Sequence, residues 1–118
     1  MVETAALPEG TKRHDPIVVK NFLSTALIRV GVEPDDADLV SDVLVAADLR
    51  GVRSHGAARL SYFIVRLEKG TLNLNPKMDI KMNAKTTGLL DAENGIGIIA
   101  ANKAMQKSLE IAEEYGTG

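Results

Sequence analysis

Cysteine and tryptophan are absent from the 118-residue sequence, and aromatic residues of all kinds make up 3% of it. Without a thiol the chain has no disulfide, no thiolate nucleophile and no cysteine-rich zinc site, and a reducing compartment, the cytoplasm, is its expected location. The two histidines, His14 and His55, stand far apart, so no histidine-rich metal site is expected either. No apolar run approaches the ~18–20 residues that a bilayer crossing requires, and Met1, Val2 and Glu3 do not form a basic start followed by an apolar stretch. The chain is therefore expected to be neither secreted nor membrane-spanning. With 4 prolines and 10 glycines, collagen-like and low-complexity character are excluded.

What is present is the composition of one ordinary soluble domain, 45% hydrophobic and 25% charged. A chain of this length buries roughly two-thirds of its unfolded surface, enough for one core. The net charge of −2 speaks against general binding to nucleic acid. Its distribution is uneven, however. Residues 1–48 carry 4 basic and 9 acidic side chains, residues 49–70 carry 5 and 1, and residues 71–118 carry 5 and 6. The middle segment is a basic island.

Residues 1–14 lack periodicity and read as a leader. Asp15 followed by Pro16 is a helix start, since the carboxylate accepts from an orphan N–H and proline fits the first helical position. Val18, Phe22, Ala26 and Val30, flanked by Val19, Leu23 and Leu27, continue that helix to Gly31. Pro34, with Asp35, Asp36 and Asp38 near the positive end of the dipole, opens a second helix with a stripe of Leu39, Val43, Ala46 and Ala47, ending near Gly51. Ser54 is the expected N-cap of a third helix that buries Ala57, Leu60, Ile64 and Leu67 and stops at Gly70. These three helices form a helical region over residues 15–70.

Beyond Gly70 the period changes. Met78 to Met82 alternates and predicts a strand, Asn83 to Lys85 a turn, and Thr86 to Leu90 a second strand. Gly95 and Gly97 precede a fourth helix through Ile99, Ala104, Leu109 and Ala112 to Gly116. The expected class is α+β, a three-helix bundle followed by a hairpin and a helix that begin a larger sheet. A lone hairpin is marginal in water, and a strand and helix with no following strand is half of a crossover unit, so the fold is expected to be incomplete.

Ser54-His55-Gly56-Ala57-Ala58-Arg59 holds the candidate site. On a continuous helix His55 and Arg59 share one face, with Tyr62 and Arg66 further along it. A guanidinium fork beside free backbone N–H groups is a natural seat for a carboxylate. A histidine there can donate to an oxygen or exchange a proton near neutrality. The plainer alternative is a helix cap followed by an ordinary solvated face. A rival of another kind is a winged-helix DNA-binding module, in which Arg59, Tyr62 and Arg66 enter the major groove and Lys77, Lys81 and Lys85 lie on the wing. Asn94-Gly95-Ile96-Gly97 invites a phosphate-cradle reading, but the third glycine of the dinucleotide fingerprint is replaced by Ala100, and a plain turn into a helix is the simpler account. Asp91 serves as a cap for that loop, and the Asp35, Asp36 and Asp38 run lacks the spacing of a calcium loop.

The string Ala46-Ala47-Asp48-Leu49-Arg50-Gly51-Val52-Arg53-Ser54-His55-Gly56-Ala57-Ala58-Arg59-Leu60 resembles the NAD(P)-dependent malate/lactate dehydrogenase family, the non-Rossmann group that includes ureidoglycolate and sulfolactate dehydrogenases. Further matches run through Tyr62, Gly70, Leu90-Asp91-Ala92, Gly95, Gly97 and the Ala104-Met105 helix, and the likeness extends from residue 16 onward. It implies hydride transfer between NAD or NADP and C2 of a small 2-hydroxy acid. By the same resemblance Arg59 holds the substrate carboxylate, Ser54 hydrogen-bonds it, and His55 lines the pocket or contacts the nicotinamide, with Tyr62 a weaker substrate contact. Residues 71–118 would begin the α/β domain for cofactor and substrate. Family members are much longer, so the main acid/base groups and most cofactor contacts are expected beyond Gly118. The resemblance also implies a homodimer, or completion by another chain.

Overall fold

The computed structural model describes residues 9–10 and 12–118. Most of the expected leader, residues 1–8 and 11, lies outside the described residues. Among the described residues the architecture is α+β, with four α-helices, two short 3₁₀ turns and one two-stranded antiparallel sheet. Helix α1 (Pro16–Arg29) starts as its sequence dictates, with the Asp15 carboxylate accepting from the Ile17 N–H at 2.7 Å. Gly31, at φ +98°, turns the chain into α2 (Pro34–Leu49), whose first turn carries Asp35 and Asp36.

The core lies between these two helices, but not on the stripes that the spacing suggests. In α1 the buried residues are Leu23, Ser24 and Leu27, whereas Val18 and Phe22 are 61% and 65% exposed. In α2 they are Ala37, Val40, Ser41 and Leu44, a clean i, i+3, i+4, i+7 face, and Val43 is exposed. The physical reason is that both helices are apolar on more than one side, so periodicity offers two faces and tertiary packing selects one. Val32, Leu67, Leu72 and Ile96 complete the cluster, with Leu60 and Phe63 packed against it. Each fully buried leucine contributes on the order of 1.5–3 kcal/mol.

Ser24 is buried yet polar, and its hydroxyl donates to Asp38 Oδ1 at 2.7 Å. Lys20 reaches Asp38 at 3.6 Å and Asp42 at 3.0 Å, tying α1 to α2 along their exposed edge. The Ser24 hydroxyl and then the Lys20 charge hold the Asp38 carboxyl below its ordinary value. Because the folded pKa is depressed, the stabilisation is present above the unfolded value and is lost as pH falls through the folded one. Ser24→Ala is therefore expected to move the Asp38 midpoint upward, read from its carboxyl carbon shift in an NMR titration. An unchanged midpoint would show that Lys20 alone sets it.

The third helix starts later than expected. Arg53–His55 and Ala57–Arg59 are two separate 3₁₀ turns, and α3 runs from Leu60 to Glu68. Ser54 does not cap it, contrary to expectation, because Arg59 stands at the N-cap position of α3. The strands also begin late, β1 at Ile80–Ala84 and β2 at Thr87–Leu90, joined by Lys85-Thr86 and paired Ile80↔Leu90 and Lys81↔Leu89. Met78 stays out of β1 because it takes φ +52° and buries its side chain to 4% exposure, where it faces Gly95. Met82 and Leu89 are 41% and 61% exposed, and a two-stranded sheet with apolar side chains left in water needs further strands or a helix to hold it. Helix α4 (Gly97–Tyr115) ends at Gly116, whose φ of +80° and N–H to the Ala112 carbonyl form a left-handed cap.

Candidate functional site

The segment between α2 and α3 is shaped by a contact that spans nine residues. Asp48, in the last turn of α2, accepts the Ala57 N–H on Oδ2 at 2.8 Å. The carboxylate thereby caps the second 3₁₀ turn, the role expected of Ser54. Gly56 makes the contact possible. A Cβ at that position would stand 1.8 Å from Asp48 Oδ1 and 2.2 Å from Cγ, so the carboxylate occupies the space that any side chain would need. Gly56 is thus required by close approach and not by backbone conformation, since its φ is −93°.

On the first 3₁₀ turn Ser54 Oγ and His55 Nδ1 are hydrogen-bonded at 2.9 Å, which leaves Nε2 as the ring nitrogen free to meet a ligand. Arg59 projects to the other end of the segment, its Cζ 5.4 Å from the centroid of the Tyr62 ring. Arg66 approaches the same ring at 5.2 Å, donates to the Tyr62 hydroxyl, and reaches the Thr71 carbonyl at 3.0 Å. Ser54, His55, Arg59 and Tyr62 are all exposed. The structure therefore groups Ser54 with His55, and Arg59 with Tyr62 and Arg66. The first group sits on the Arg53–His55 turn, whereas Arg59 ends the second 3₁₀ turn and Tyr62 and Arg66 follow in α3, so the residues do not share one continuous helical face.

The cavity of about 330 Å³ between the start of α2, the 73–78 loop and the start of α4 includes none of these residues and is walled by Val32, Leu74, Met78 and Ile96 among others. Among the described residues no three His, Asp or Glu side chains are placed to hold a metal ion, and no helix is long and apolar enough to cross a membrane. The glycine stretch before α4 is a turn. A Cβ on Gly95 would meet Pro76 Cγ at 2.6 Å and Met78 Cε at 2.7 Å, so that glycine serves packing. Asp91 Oδ1 accepts the Glu93 N–H at 2.9 Å and caps the loop as expected.

Sequence reasoning did not single out Asp48 beyond its place in the motif. The available signal was the pairing of an acidic residue at a helix end with a glycine eight positions on, which becomes meaningful only once the chain is folded back.

A family profile described as malate/L-lactate dehydrogenase matches residues 16–118, and the chain belongs to that family. It is 36% identical over its whole length to a malate dehydrogenase of Pyrococcus abyssi, covering 33% of that protein. It is 33% identical over 95 residues to a ureidoglycolate dehydrogenase (NAD(+)) of Escherichia coli K12, covering 80% of this chain and 27% of the relative. The solved structure of malate dehydrogenase from Pyrococcus horikoshii OT3 superposes with a TM-score of 0.92 at 32% identity, over 98% of this chain and 33% of that one. The chain spans about a third of the length of the curated relatives it matches.

Proposed function

We propose that this chain forms the carboxylate-binding wall of a nicotinamide-dependent 2-hydroxy-acid dehydrogenase. The reaction moves a hydride from C2 of the hydroxy acid to NAD or NADP and releases the hydroxyl proton, giving the 2-oxo acid. The observation that carries the reading is that Asp48 bonds the Ala57 N–H over Gly56, in the middle of the segment that exposes Ser54, His55 and Arg59 in a chain of this family. Arg59 binds the substrate carboxylate through two parallel charge-assisted hydrogen bonds and fixes which face of C2 is presented. His55 offers Nε2 to the substrate oxygen.

The Ser54 contact allows two arrangements. If the Ser54 hydroxyl donates to Nδ1, His55 carries its proton on Nε2 and Ser54 has no donor left for the carboxylate. If Nδ1–H donates to Ser54 Oγ, the Ser54 hydroxyl is free to donate to the carboxylate beside Arg59 and Nε2 accepts. His55→Gln alters the pH profile of kcat only if His55 exchanges a proton with the substrate. A profile that keeps its shape would demote His55 to a pocket wall.

The nicotinamide supplies the hydride acceptor when bound, but the Gly95-Ile96-Gly97 turn does not fit a dinucleotide cradle, because Pro76 and Met78 occupy the space over Gly95. The open exposure of Ser54, His55 and Arg59 agrees with a site closed by the remainder of the parent protein or by a second subunit of a homodimer. The test is cofactor oxidation by the full-length protein, followed with NADH and with NADPH across small 2-oxo acids. Turnover with at least one supports the reading. No turnover with any, together with a salt-sensitive mobility shift of duplex DNA, would replace it by the winged-helix alternative.

A further inference from the structure

The exposed faces and the 330 Å³ cavity carry less than one feature of α3, the tyrosine ring shared by two guanidinium groups. An arginine on a surface turn has four rotatable bonds and no reason to hold one direction, yet a carboxylate clamp works only when its fork is already aimed. Arg59 is aimed by the face of Tyr62, 5.4 Å from its Cζ. Tyr62 is in turn restrained. Its hydroxyl accepts from Arg66, Arg66 also donates to the Thr71 carbonyl at 3.0 Å, and the Thr71 hydroxyl donates back to the Arg66 carbonyl at 3.1 Å. Phe63 adds an edge-on ring contact at 5.7 Å.

The contacts that Tyr62 makes are with the two guanidinium groups, its ring beside Arg59 and its hydroxyl accepting from Arg66. We infer that Tyr62 is a positioning residue, acting on the substrate only through Arg59, and that Arg66 and Thr71 form the anchor that keeps the ring in place. The inference rests on the reading of Arg59 as the carboxylate clamp. It assigns to the C-terminal half of α3 a part in substrate affinity that neither its exposure nor its charge alone would suggest.

The test uses the full-length enzyme and four variants, Tyr62→Leu, Tyr62→Phe, Arg59→Ala and the double variant Tyr62→Leu/Arg59→Ala. Tyr62 is 44% exposed, so its replacement leaves the core intact. Tyr62→Leu removes the ring and is expected to raise KM for the 2-oxo acid about two- to fivefold with the KM for NADH unchanged. Tyr62→Phe keeps the ring but loses the hydroxyl on which Arg66 anchors it, and is expected to raise the KM for the 2-oxo acid less than Tyr62→Leu does. The deciding measurement is the double variant. If Tyr62 acts through Arg59, the leucine substitution adds no further loss once Arg59 is gone. Losses that multiply would mean that Tyr62 touches substrate itself and would overturn the inference, as would an unchanged KM in Tyr62→Leu. A normal KM in Arg59→Ala would instead overturn the clamp reading, so the two failures are distinguishable.

Discussion

Replacing Arg59 with alanine in the full-length enzyme is expected to lower kcat/KM for a 2-oxo acid about a hundredfold, roughly 3 kcal/mol of lost stabilisation. A carboxylate brought out of water onto a protein surface needs its charge met, and Arg59 is a cation on the 3₁₀ turn that follows the one carrying Arg53, Ser54 and His55. The carboxylate is present both in the bound substrate and in the transition state. Much of the loss should therefore fall in KM, with the fall in kcat reporting how far the clamp also aligns C2. Arg59→Lys separates charge from geometry. An ammonium keeps the charge but has no planar fork, so an intermediate loss is expected. Steady-state kinetics with the parent and both variants decides the matter, and an alanine variant within twofold of the parent would remove Arg59 from the site.

The order of elements was legible because it is written in local chemistry: Asp15-Pro16 and Pro34 at helix starts, Gly31 and Gly116 at helix ends, and the change of period after Gly70. The buried faces of α1 and α2 were not, because Val18 and Phe22 compete with Leu23 and Leu27 on equal terms until the second helix is in place. Likewise Ser54 has the right side chain for a cap, and nothing within four residues announces that Asp48 takes that role. The candidate site was legible as a set of residue types, and the match to the malate/L-lactate dehydrogenase family over residues 16–118 gives that set its context. Its internal division, Ser54 with His55 and Arg59 with Tyr62, follows from the break at Gly56, which only the folded backbone reveals.

That break leads to the second large effect. Gly56→Ala is expected to be more damaging than an alanine usually is, because its Cβ would fall 1.8 Å from Asp48 Oδ1 and 2.6 Å from Oδ2. The two cannot coexist, and the side chain of Asp48 is the easier group to move. Rotating it away strips the Ala57 N–H of a charged partner, a loss of about 1–3 kcal/mol for a partly buried donor. The local consequence is faster exchange of the Ala57 amide, on the order of ten- to a hundredfold. The functional consequence is a loosened 54–59 segment and a fall in kcat/KM. Asp48→Ala provides the control, since it removes the cap and the obstruction together. In that background the added methyl of Gly56→Ala has little left to disturb, so the double variant should resemble Asp48→Ala alone. Additive losses, or a Gly56→Ala enzyme with normal Ala57 exchange and normal turnover, would show that the carboxylate and the glycine do not act as one device.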